Sequence, residues 1–290
     1  MSKVTHGQVV AAFGRHFDVE TAEGIVSCVT RGKKGGVACG DRLQIEMTGS
    51  AQGVIKSIDP RTSQLFRSDE FKEKVIAANV TQIIVVVAAE PAFYEDLVSR
   101  CLIAAEAASL KIVIVLNKCD LEQASRAALA QLQLYRDLGY PLVTLSARQD
   151  ISPLRPHLQG ETSVLVGQSG MGKSTLINAL VPDAKAATRE ISTVLDSGKH
   201  TTTHAQLYHL DAHSHLIDCP GVQLFGLHHL DFAALERGFP EFRPYLGHCR
   251  FANCSHSHEP DCAVRKATAE VKIDERRLKL FQQISGGRAS

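Results

Sequence analysis

The chain has 290 residues, a length typical of two or three domains, and its 44% hydrophobic content is enough for more than one core. Its formal net charge of +1 excludes a uniformly basic protein, so any nucleic-acid surface must be a local patch. The longest apolar runs, IIVVVAA at 83–89 and IVIVL at 112–116, are too short to cross a bilayer. Because the first ten residues lack the pattern of a secretory signal, we expect a cytoplasmic protein with reduced cysteines and no membrane partner.

Residues 1–67 alternate short strand-like runs with glycines, a rhythm that predicts a small antiparallel β-barrel. An OB-fold fits these runs best. Lys and Arg outnumber Asp and Glu there by nine to six, and the densest basic cluster is RGKKGG at 31–36. This cluster is either an RNA-contacting loop or the solvated tip of a hairpin.

Near residue 68 the pattern changes to strands that alternate with helical stretches, which is the βαβ pattern of an open parallel sheet. We expect this second domain to span 68–227. Its last part, HAQLYHLDAHSHLIDCPG at 204–221, is typical of a β-hairpin that ends in an acidic loop. Residues 228–290 form a third segment with a short helix, a cluster of Cys and His residues, and a charged helix from about residue 263 to 283.

The stretch GQSGMGKS at 167–174 matches the phosphate-binding pattern G-x-x-x-x-G-K-[ST] in full. An apolar strand precedes it and a helical stretch follows it, so its backbone N–H groups should face phosphate at a helix N-terminus. Lys173 would reach the β- and γ-phosphates, and Ser174 would ligate Mg²⁺. The predicted phosphate-binding residues are Gly167, Gln168, Ser169, Gly170, Met171, Gly172, Lys173, Ser174 and Thr175.

Two further elements complete a predicted magnesium and γ-phosphate site. In DCPG at 218–221, Asp218 would lie beside Mg²⁺ and the Gly221 N–H would contact the γ-phosphate. The polar segment GKHTTTHA at 198–205 is a candidate switch, because a threonine there would complete the Mg²⁺ shell only in the triphosphate state. The competing threonines are Thr201, Thr202 and Thr203. Thr202 is favoured.

The element NKCD at 117–120 indicates which base the site binds. The Asp120 carboxylate can accept hydrogen bonds from guanine N1–H and N2–H₂, which adenine does not offer in that arrangement. Asn117 would help to hold the base edge and to tether the loops, and the stem of Lys118 would cover the ring plane. A site built to pair these donors rejects a base that lacks them.

The element LSAR at 145–148 ends the next strand of the predicted sheet. It would supply a backbone N–H, favoured here as that of Ala147, to guanine O6, with Ser146 beside it. Each tetrapeptide alone is common by chance. Both together, each at a strand end in a sheet that also carries a phosphate loop, predict a guanine rather than an adenine site.

The guanine-site elements occur in the order NKCD, SAR, GQSGMGKS, TTT and DCPG, which is a circular permutation of the order in an ordinary GTPase. Permutation keeps the sheet and relocates its ends. The loop after Gly221 therefore leads directly into the C-terminal segment. We hypothesise that loss of the γ-phosphate moves this whole C-terminal domain.

This arrangement resembles the circularly permuted ribosome-assembly GTPases, and most closely the bacterial RsgA/YjeQ family. The resemblance is carried by the cysteine cluster and by four stretches: AANVTQIIVVVAAEP at 77–91, GQSGMGKSTLIN at 167–178, GKHTTTHAQLY at 198–208 and DCPGVQLFGL at 218–227. It implies an N-terminal OB-fold β-barrel at 1–67, a central α/β P-loop GTPase domain at 68–227, and a C-terminal α-helical zinc-binding domain at 228–290. It also implies slow hydrolysis of GTP to GDP, strongly stimulated by the small ribosomal subunit in late maturation.

The stretch CRFANCSHSHEPDC at 249–262 offers three Cys and one His as metal ligands. The set is Cys249, Cys254, His256 and Cys262. Four soft ligands within fourteen residues suit a closed structural Zn²⁺, which would supply the folding free energy that so small a segment lacks. His248 and His258 are near enough to be rival ligands, and the spacing in the family that the chain resembles favours His256.

A valine, Val222, directly follows Gly221, where many GTPases carry the glutamine that orients the attacking water. Since valine cannot orient water, another group must do so. His200 is the nearest candidate and could position or deprotonate the water. The alternative is that His200 is one of 13 histidines and merely faces solvent. The predicted catalytic residues are His200, Lys173 and Thr202.

The resemblance also implies the partners, which are the small ribosomal subunit with its rRNA and the assembly factors on that subunit. GTP hydrolysis would time their release, and we expect a monomer. The barrel would bind rRNA, and the C-terminal helix would make a second contact unless its charges form a plain solvated face. The basic residues of this helix are Arg265, Lys266, Lys272, Arg276, Arg277 and Lys279. Two alternatives are a GTPase acting on tRNA or the large subunit, and an RNA-binding module for which GTP is an affinity ligand.

Overall fold

The computed structural model describes residues 4–31, 36–69, 72–181, 204–219 and 227–286. Three regions follow one another along the chain: a β-barrel, an α/β sheet, and a helical region that holds the Cys and His cluster. Within the described residues, no helix is long and apolar enough to cross a membrane.

The first region is a closed barrel of five strands. They run in the order β1-β2-β3-β5-β4, and the pairing of β1 with β4 closes the barrel. Alternate residues point inward, as Phe17 and Val19 do on one strand, which is the period of two expected for a half-buried strand. This confirms the predicted OB-fold. The strands are β1 (Val4–Phe13), β2 (His16–Thr21), β3 (Gly24–Thr30), β4 (Arg42–Met47) and β5 (Gln52–Ile58).

A two-stranded antiparallel ribbon, β6 (Gln64–Asp69) and β7 (Lys72–Ala78), connects the barrel to the second region. The domain boundary predicted at residue 67 lies inside β6. Before the ribbon, the Arg61 guanidinium donates to the buried Asp41, from Nε to Oδ1 at 2.7 Å and from Nη2 to Oδ2 at 2.8 Å. This two-pronged ion pair compensates the buried carboxylate and fixes the chain as it leaves the barrel.

The second region is a parallel sheet, as the alternating pattern predicted. Five strands run in the order β10-β9-β8-β11-β13, each parallel to its neighbour. The central strand β8 is buried along its whole length, as is typical of a parallel strand covered on both faces. The strands are β8 (Gln82–Ala88), β9 (Lys111–Asn117), β10 (Leu142–Thr144), β11 (Thr162–Val166), β12 (Ala205–His209) and β13 (His215–Asp218), and the helices are α1 (Glu95–Ala107), α2 (Glu122–Asp137), α3 (Arg155–Leu158) and α4 (Lys173–Leu180).

The predicted hairpin at the sheet edge is confirmed, since β12 pairs antiparallel with β13. Strand β12 also pairs antiparallel with β1 of the barrel, with Ala11 opposite Gln206 and Ala12 opposite Ala205. The barrel and the parallel sheet therefore form one continuous eleven-stranded sheet. The sequence did not predict this connection.

The third region consists of short helices, and the single helix predicted from about residue 263 to 283 is wrong. The helix ends at Ala269, and a second one begins at Glu275. Between them, Val271 adopts a left-handed backbone with φ of 58°, which a regular helix cannot include. Asp274 then accepts the Arg276 N–H at 2.8 Å, which stabilises the new helix start. The helices are α5 (Phe232–Arg237), α6 (Ala263–Ala269) and α7 (Glu275–Gly286), with a 3₁₀ turn at Pro240–Tyr245.

Arg277 of α7 is fully buried and connects the third region to the second. Its Nε donates to Glu241 at 2.5 Å, and its Nη1 donates to the hydroxyl of Ser99 on α1 at 3.0 Å. The guanidinium carbon lies 4.3 Å from the centre of the Phe239 ring, a cation–π contact. Arg277 is therefore an internal contact and is not available to RNA.

Candidate guanine-nucleotide site and metal centre

The phosphate loop lies between β11 and α4, and two of its glycines are required by the close approach of neighbouring atoms. Gly167 has a φ of 155°, and a Cβ there would lie 2.2 Å from the Val86 carbonyl oxygen. Gly172 has a φ of 89°, and a Cβ there would lie 2.3 Å from Asn117 Nδ2. A side chain at either position would displace strand β8 or the base-binding element, so these glycines set the loop close against the sheet.

Lys173 and Asp218 face each other at the phosphate end of the cleft. Lys173 Nζ donates to the carbonyl oxygens of Gly167 at 2.5 Å and Gln168 at 2.8 Å. Burial lowers the pKa of Lys173, and the nearby Asp218 opposes that change. Burial likewise raises the pKa of Asp218, and Lys173 opposes it. Each charge therefore stabilises the other, and the ammonium lies next to the loop where phosphate would bind.

The three elements NKCD, SAR and GQSGMGKS line one cleft of about 570 Å³. This volume is in the usual range for a small-molecule site, about 300–1,000 Å³. The sequence predicted most of the lining, and the structure adds Leu121 and Arg148. The lining residues are Asn117, Lys118, Asp120, Leu121, Ser146, Ala147, Arg148, Ser169, Gly170, Gly172, Lys173, Ser174 and Thr175.

Asn117 is buried and joins the two loops on either side of it. Its Nδ2 donates to the Met171 carbonyl oxygen at 2.9 Å, and its Oδ1 accepts the Ala147 N–H at 2.9 Å. One side chain thus tethers the phosphate loop to the SAR element, in the manner predicted for it. The contact of the Ala147 N–H with guanine O6 stays a prediction. Asn117 Oδ1 already accepts this hydrogen, so guanine O6 would have to share it.

Asp120 is exposed at the mouth of the cleft, where a base could reach it. A hydrogen bond from the Ser146 side chain, with help from the backbone N–H of Asp120, lowers the pKa of the Asp120 carboxyl. The carboxylate is therefore an ionised, acceptor-only group at neutral pH, as pairing with two guanine donors requires. Lys118 Nζ donates to the Glu90 carbonyl oxygen at 2.6 Å, which fixes its stem beside the cleft.

The phosphate loop is also held by the segment between β8 and α1, which sequence reasoning missed. The side chain of Gln168 accepts the Tyr94 N–H at 2.8 Å, just before α1 begins. A Cβ on Gly170 would lie 3.2 Å from Pro91 Cγ, so the loop packs directly on this segment. The side chain of Gln168, predicted to be part of the phosphate site, instead contacts the residue just before α1. No motif marks this segment in the sequence.

Some predicted residues lie outside the described residues: His200, Thr202, Gly221 and the non-catalytic Val222. Their roles in switching, Mg²⁺ binding and water positioning stay predictions. Among the described residues, Ser174 lies exposed in the cleft next to Lys173, where its hydroxyl could reach Mg²⁺.

The predicted metal ligands come together in the third region. They are Cys249, Cys254, His256 and Cys262, and their donor atoms all lie within 4.8 Å of one another. Cys249 Sγ is 3.8 Å from Cys262 Sγ, and His256 Nδ1 is 3.2 Å from the same sulfur. Since zinc–sulfur bonds are about 2.3 Å, two thiolates of a zinc tetrahedron lie about 3.8 Å apart, so the residues fit a closed structural Zn²⁺. The rival histidines His248 and His258 are exposed and outside the cluster.

A carboxylate supports the metal centre from behind. Glu236 of α5 lies 2.6 Å from His256 Nε2, so the imidazole can present Nδ1 to the metal while its other N–H donates to Glu236. Gln282 of α7 donates to the His256 carbonyl oxygen at 2.8 Å, and the Phe281 ring packs 5.7 Å from the imidazole. The centre therefore joins α5, the cysteine loop and α7. The sequence gave no signal for Glu236, which precedes His256 by twenty residues.

The chain is similar in sequence and in fold to known proteins. The RsgA GTPase family matches residues 58–228, which is more than half of the chain. A protein named small ribosomal subunit biogenesis GTPase RsgA, from Nitrosospira multiformis, is 57% identical over 96% of this chain and 89% of its own length. The crystal structure of YjeQ from Thermotoga maritima matches with a TM-score of 0.74 and 29% identity, covering 98% of both chains. The structure of YloQ, described as a circularly permuted GTPase, shows the same fold, with a TM-score of 0.71 at 24% identity over 99% of this chain and 97% of its own. The chain belongs to the RsgA GTPase family.

Proposed function

We propose that this protein is a GTP hydrolase that acts in late maturation of the small ribosomal subunit. The observation that carries the proposal is the single cleft in which the phosphate loop, NKCD and SAR meet. Such a cleft combines selectivity for guanine with a phosphate-binding loop. The ribosomal role is supported by the relative from Nitrosospira multiformis, which has that role in its name and aligns over 96% of this chain.

The nucleotide contacts follow from the geometry of the cleft. Asp120 accepts hydrogen bonds from guanine N1–H and N2–H₂, and Asn117 keeps the two base loops and the phosphate loop together. The N–H groups of the loop and Lys173 bind the β- and γ-phosphates. Ser174 and Thr202 would hold Mg²⁺ with Asp218 beside it, and a bound ion would supply positive charge against the phosphate oxygens.

Hydrolysis forms a bond between the water oxygen and the γ-phosphorus. It breaks the bond from that phosphorus to the bridging oxygen, which leaves with GDP. Lys173 stabilises the negative charge that develops on the phosphates. Val222 offers no polar group, so His200 positions the attacking water. If His200 takes up this position only on the small subunit, the slow reaction of the free protein and its stimulation by the subunit have one cause.

The barrel provides the main rRNA contact in this proposal. The C-terminal helices are less suited to binding rRNA, because Arg277 is buried and other basic side chains there form ion pairs with acidic residues. Lys279 pairs with Glu275 at 2.8 Å, and Lys272 pairs with Glu270 at 2.7 Å. These contacts favour the solvated face, which was the alternative to an RNA contact for this helix. GTP hydrolysis then times release of the protein and of assembly factors, with the protein acting as a cytoplasmic monomer.

The experiment that tests this function is a comparison of GTP hydrolysis rates. The zinc-loaded chain is assayed alone, with isolated small subunits, and with large subunits at equal concentration. We expect strong stimulation by small subunits only. Equal stimulation by both subunits, or none, would contradict the proposed role, and stimulation by large subunits only would favour a GTPase acting on the large subunit.

A variant separates hydrolysis from simple affinity for GTP. His200→Ala with intact GTP binding should lose stimulated hydrolysis and remain bound to small subunits. If the variant hydrolyses no GTP but leaves the subunit normally, GTP is only an affinity ligand and the protein is an RNA-binding module.

A further inference from the structure

The barrel covers the edge strand of the GTPase sheet beside the nucleotide site. We call residues 11–13 of β1, residues 205 and 206 of β12, and His204 just before β12 the seam; Ala11 and Ala12 pair there with Gln206 and Ala205. The edge of a sheet can bind an extended partner through main-chain hydrogen bonds. Here the partner strand belongs to the same chain, in the region proposed to bind RNA.

The seam is in register with the carboxylate of the nucleotide site. Ala11 lies opposite Gln206, and Gln206 lies opposite Asp218. On one side this row continues to Leu165, just before the phosphate loop, and on the other to Asp18 of the barrel. Directly opposite residues point to the same face of a sheet, with Cβ atoms about 4.5–5.5 Å apart. One row of neighbouring residues therefore runs from the barrel to the phosphate site.

The seam contains two polar residues, His204 and Gln206, whose hydrogen bonding is incomplete. The ring of His204 packs on Phe13 of the barrel, with ring centres 4.4 Å apart. The buried atoms His204 Nε2 and Gln206 Oε1 have no hydrogen-bond partner of good geometry among the described residues. The two side chains are nevertheless close, since Gln206 opposes the lowering of the His204 pKa by burial. Unpaired buried polar atoms are costly, so this end of β12 is held less strongly than one whose polar atoms are all hydrogen-bonded.

The two ends of β12 differ in how they are attached to the barrel. At the far end, His209 Nε2 lies 2.8 Å from the Glu20 carboxylate on β2, which is a complete polar contact. At the seam end, next to Asp218, His204 Nε2 and Gln206 Oε1 have no hydrogen-bond partner of good geometry among the described residues, and the Gln206 side chain is close enough to oppose the lowering of the His204 pKa by burial. Among the described residues, the end of β12 nearest to the nucleotide therefore lacks the polar contact with the barrel that holds the far end.

We propose that strand β1 of the barrel is a positioning element of the GTPase site, and that Gln206 is the positioning residue that couples it to Asp218. RNA on the barrel and the γ-phosphate in the cleft then alter each other's binding through the seam. Such coupling is reciprocal, because each ligand shifts the affinity of the other by the same factor. The inference rests on the proposed function only for the identity of RNA as the ligand of the barrel.

Hydrogen exchange of the full, zinc-loaded chain tests the coupling without the ribosome. Exchange of the amides in residues 9–13 of β1 is compared with GDP and with a non-hydrolysable GTP analogue. We expect a difference of about fivefold or more, the lower end of usual coupling factors. Identical exchange of β1 with both nucleotides would overturn the proposal.

The variant Gln206→Leu keeps the backbone pairing and removes the polar side chain. We expect it to bind both nucleotides normally and to keep the nucleotide-dependent change at the phosphate loop, but to lose the change in β1. A purely structural role for Gln206 would alter stability and leave the β1 difference intact, and that result would also overturn the proposal. The matched control is Gln133→Leu on the exposed face of α2, which should behave as the unmodified chain.

A reversible cross-link covers the case in which Gln206→Leu fails to fold. Ala12 and Ala205 are directly opposite, so Ala12→Cys with Ala205→Cys can form a disulfide across the seam. The oxidised form should show no nucleotide-dependent change in β1, and reduction should restore it. A change that persists in the oxidised form contradicts the proposal.

The outcomes are separable from those of the proposed function. If small subunits fail to stimulate hydrolysis while β1 still responds to nucleotide, the ribosomal role is wrong and the coupling stands. If small subunits strongly stimulate hydrolysis while amide exchange in β1 is the same with both nucleotides, the ribosomal role stands and the coupling is wrong.

Discussion

The GTPase sheet has two neighbours, and it contacts them in different ways. The barrel joins it through strand pairing at the seam, where Gln206 keeps a buried oxygen without a hydrogen-bond partner among the described residues. The third region joins it through Arg277, whose buried guanidinium contacts Glu241, Ser99 and the Phe239 ring. Arg277 Nη2 and Glu241 Oε2 are also buried without a hydrogen-bond partner among the described residues, but only this second contact contains a buried ion pair, which is costly to break. We therefore expect the barrel to respond to the nucleotide and the third region to move with α1.

The Arg277 contacts constrain the hypothesised movement of the whole C-terminal domain on loss of the γ-phosphate. The chain order places that domain directly after Gly221. However, Arg277 binds Ser99 of α1, and Arg276 lies 3.3 Å from Glu95 at the start of the same helix. The segment just before α1 in turn donates from Tyr94 to Gln168 of the phosphate loop. Movement of the C-terminal domain would therefore have to include α1 or break the Arg277 contacts.

Removal of zinc should have the largest effect, and it should be confined to the third region. Binding of structural zinc contributes about 10–16 kcal/mol in small zinc-finger peptides. Cys254→Ser, or treatment with a chelator, should expose the amides of α7 to rapid exchange and leave β1 protected. Hydrogen exchange measured on both elements checks this, and zinc added back to the chelated chain should restore α7. Equal loss of protection in β1 would mean that the two contacts are not independent.

Breaking the buried ion pair should have the next largest effect. Glu241→Ala leaves the Arg277 guanidinium buried without its carboxylate, which costs about 3–5 kcal/mol. The free energy of unfolding in urea measures this loss. The matched control is Glu275→Ala, which removes the exposed partner of Lys279 and should cost at most about 1 kcal/mol. Similar losses in both variants would show that the Arg277 contact is no stronger than a surface pair.

The smallest expected effect is that of a pH change, which should destabilise the seam and leave the Arg277 contact unchanged. Burial lowers the pKa of His204 below its ordinary value of 6.5. The unfolded chain therefore binds a proton at His204 more readily than the folded chain does. Stability from this group is present above pH 6.5 and is lost as the pH falls further. The loss should be small, because solvent screens the half-buried ring.

The measurement for this prediction is amide exchange in β1 and α7 at neutral and at mildly acidic pH, corrected for intrinsic rates. With zinc kept in excess at both pH values, acid should loosen β1, while α7 should not change, because the guanidinium of Arg277 keeps its charge throughout. His204→Gln should remove the response of β1. An equal response in α7 would contradict the contrast between the two contacts.

The sequence could predict candidate nucleotide and metal ligands because each set is local, and the structure brings the described members of each set together. Backbone N–H groups around Gly167 and the carboxylate of Asp120 work within short motifs whose spacing determines their geometry. The cysteine loop likewise holds its ligands within fourteen residues. The parallel sheet and the OB-fold followed from the periodicity of apolar residues, since burial on two faces or on one leaves different patterns.

The contacts between regions were missed because they join residues far apart in the chain. Arg277 binds a serine 178 positions away, and nothing in the charged pattern of α7 distinguishes it from its exposed neighbours. The pairing of Ala11 with Gln206 leaves no trace in either strand, because both already fit an ordinary sheet. The break between α6 and α7 depends on the left-handed backbone of Val271, a residue type that rarely adopts it.

The affinity of the chain for isolated small ribosomal subunits, measured with a non-hydrolysable GTP analogue and with GDP, tests the central claim most directly. If the γ-phosphate changes RNA binding by the barrel through the seam, the affinity for small subunits should be at least about fivefold higher with the analogue than with GDP. The Gln206→Leu chain should bind equally well with both nucleotides. Equal affinity of the unmodified chain in the two states would contradict the claim that its nucleotide controls release from the subunit.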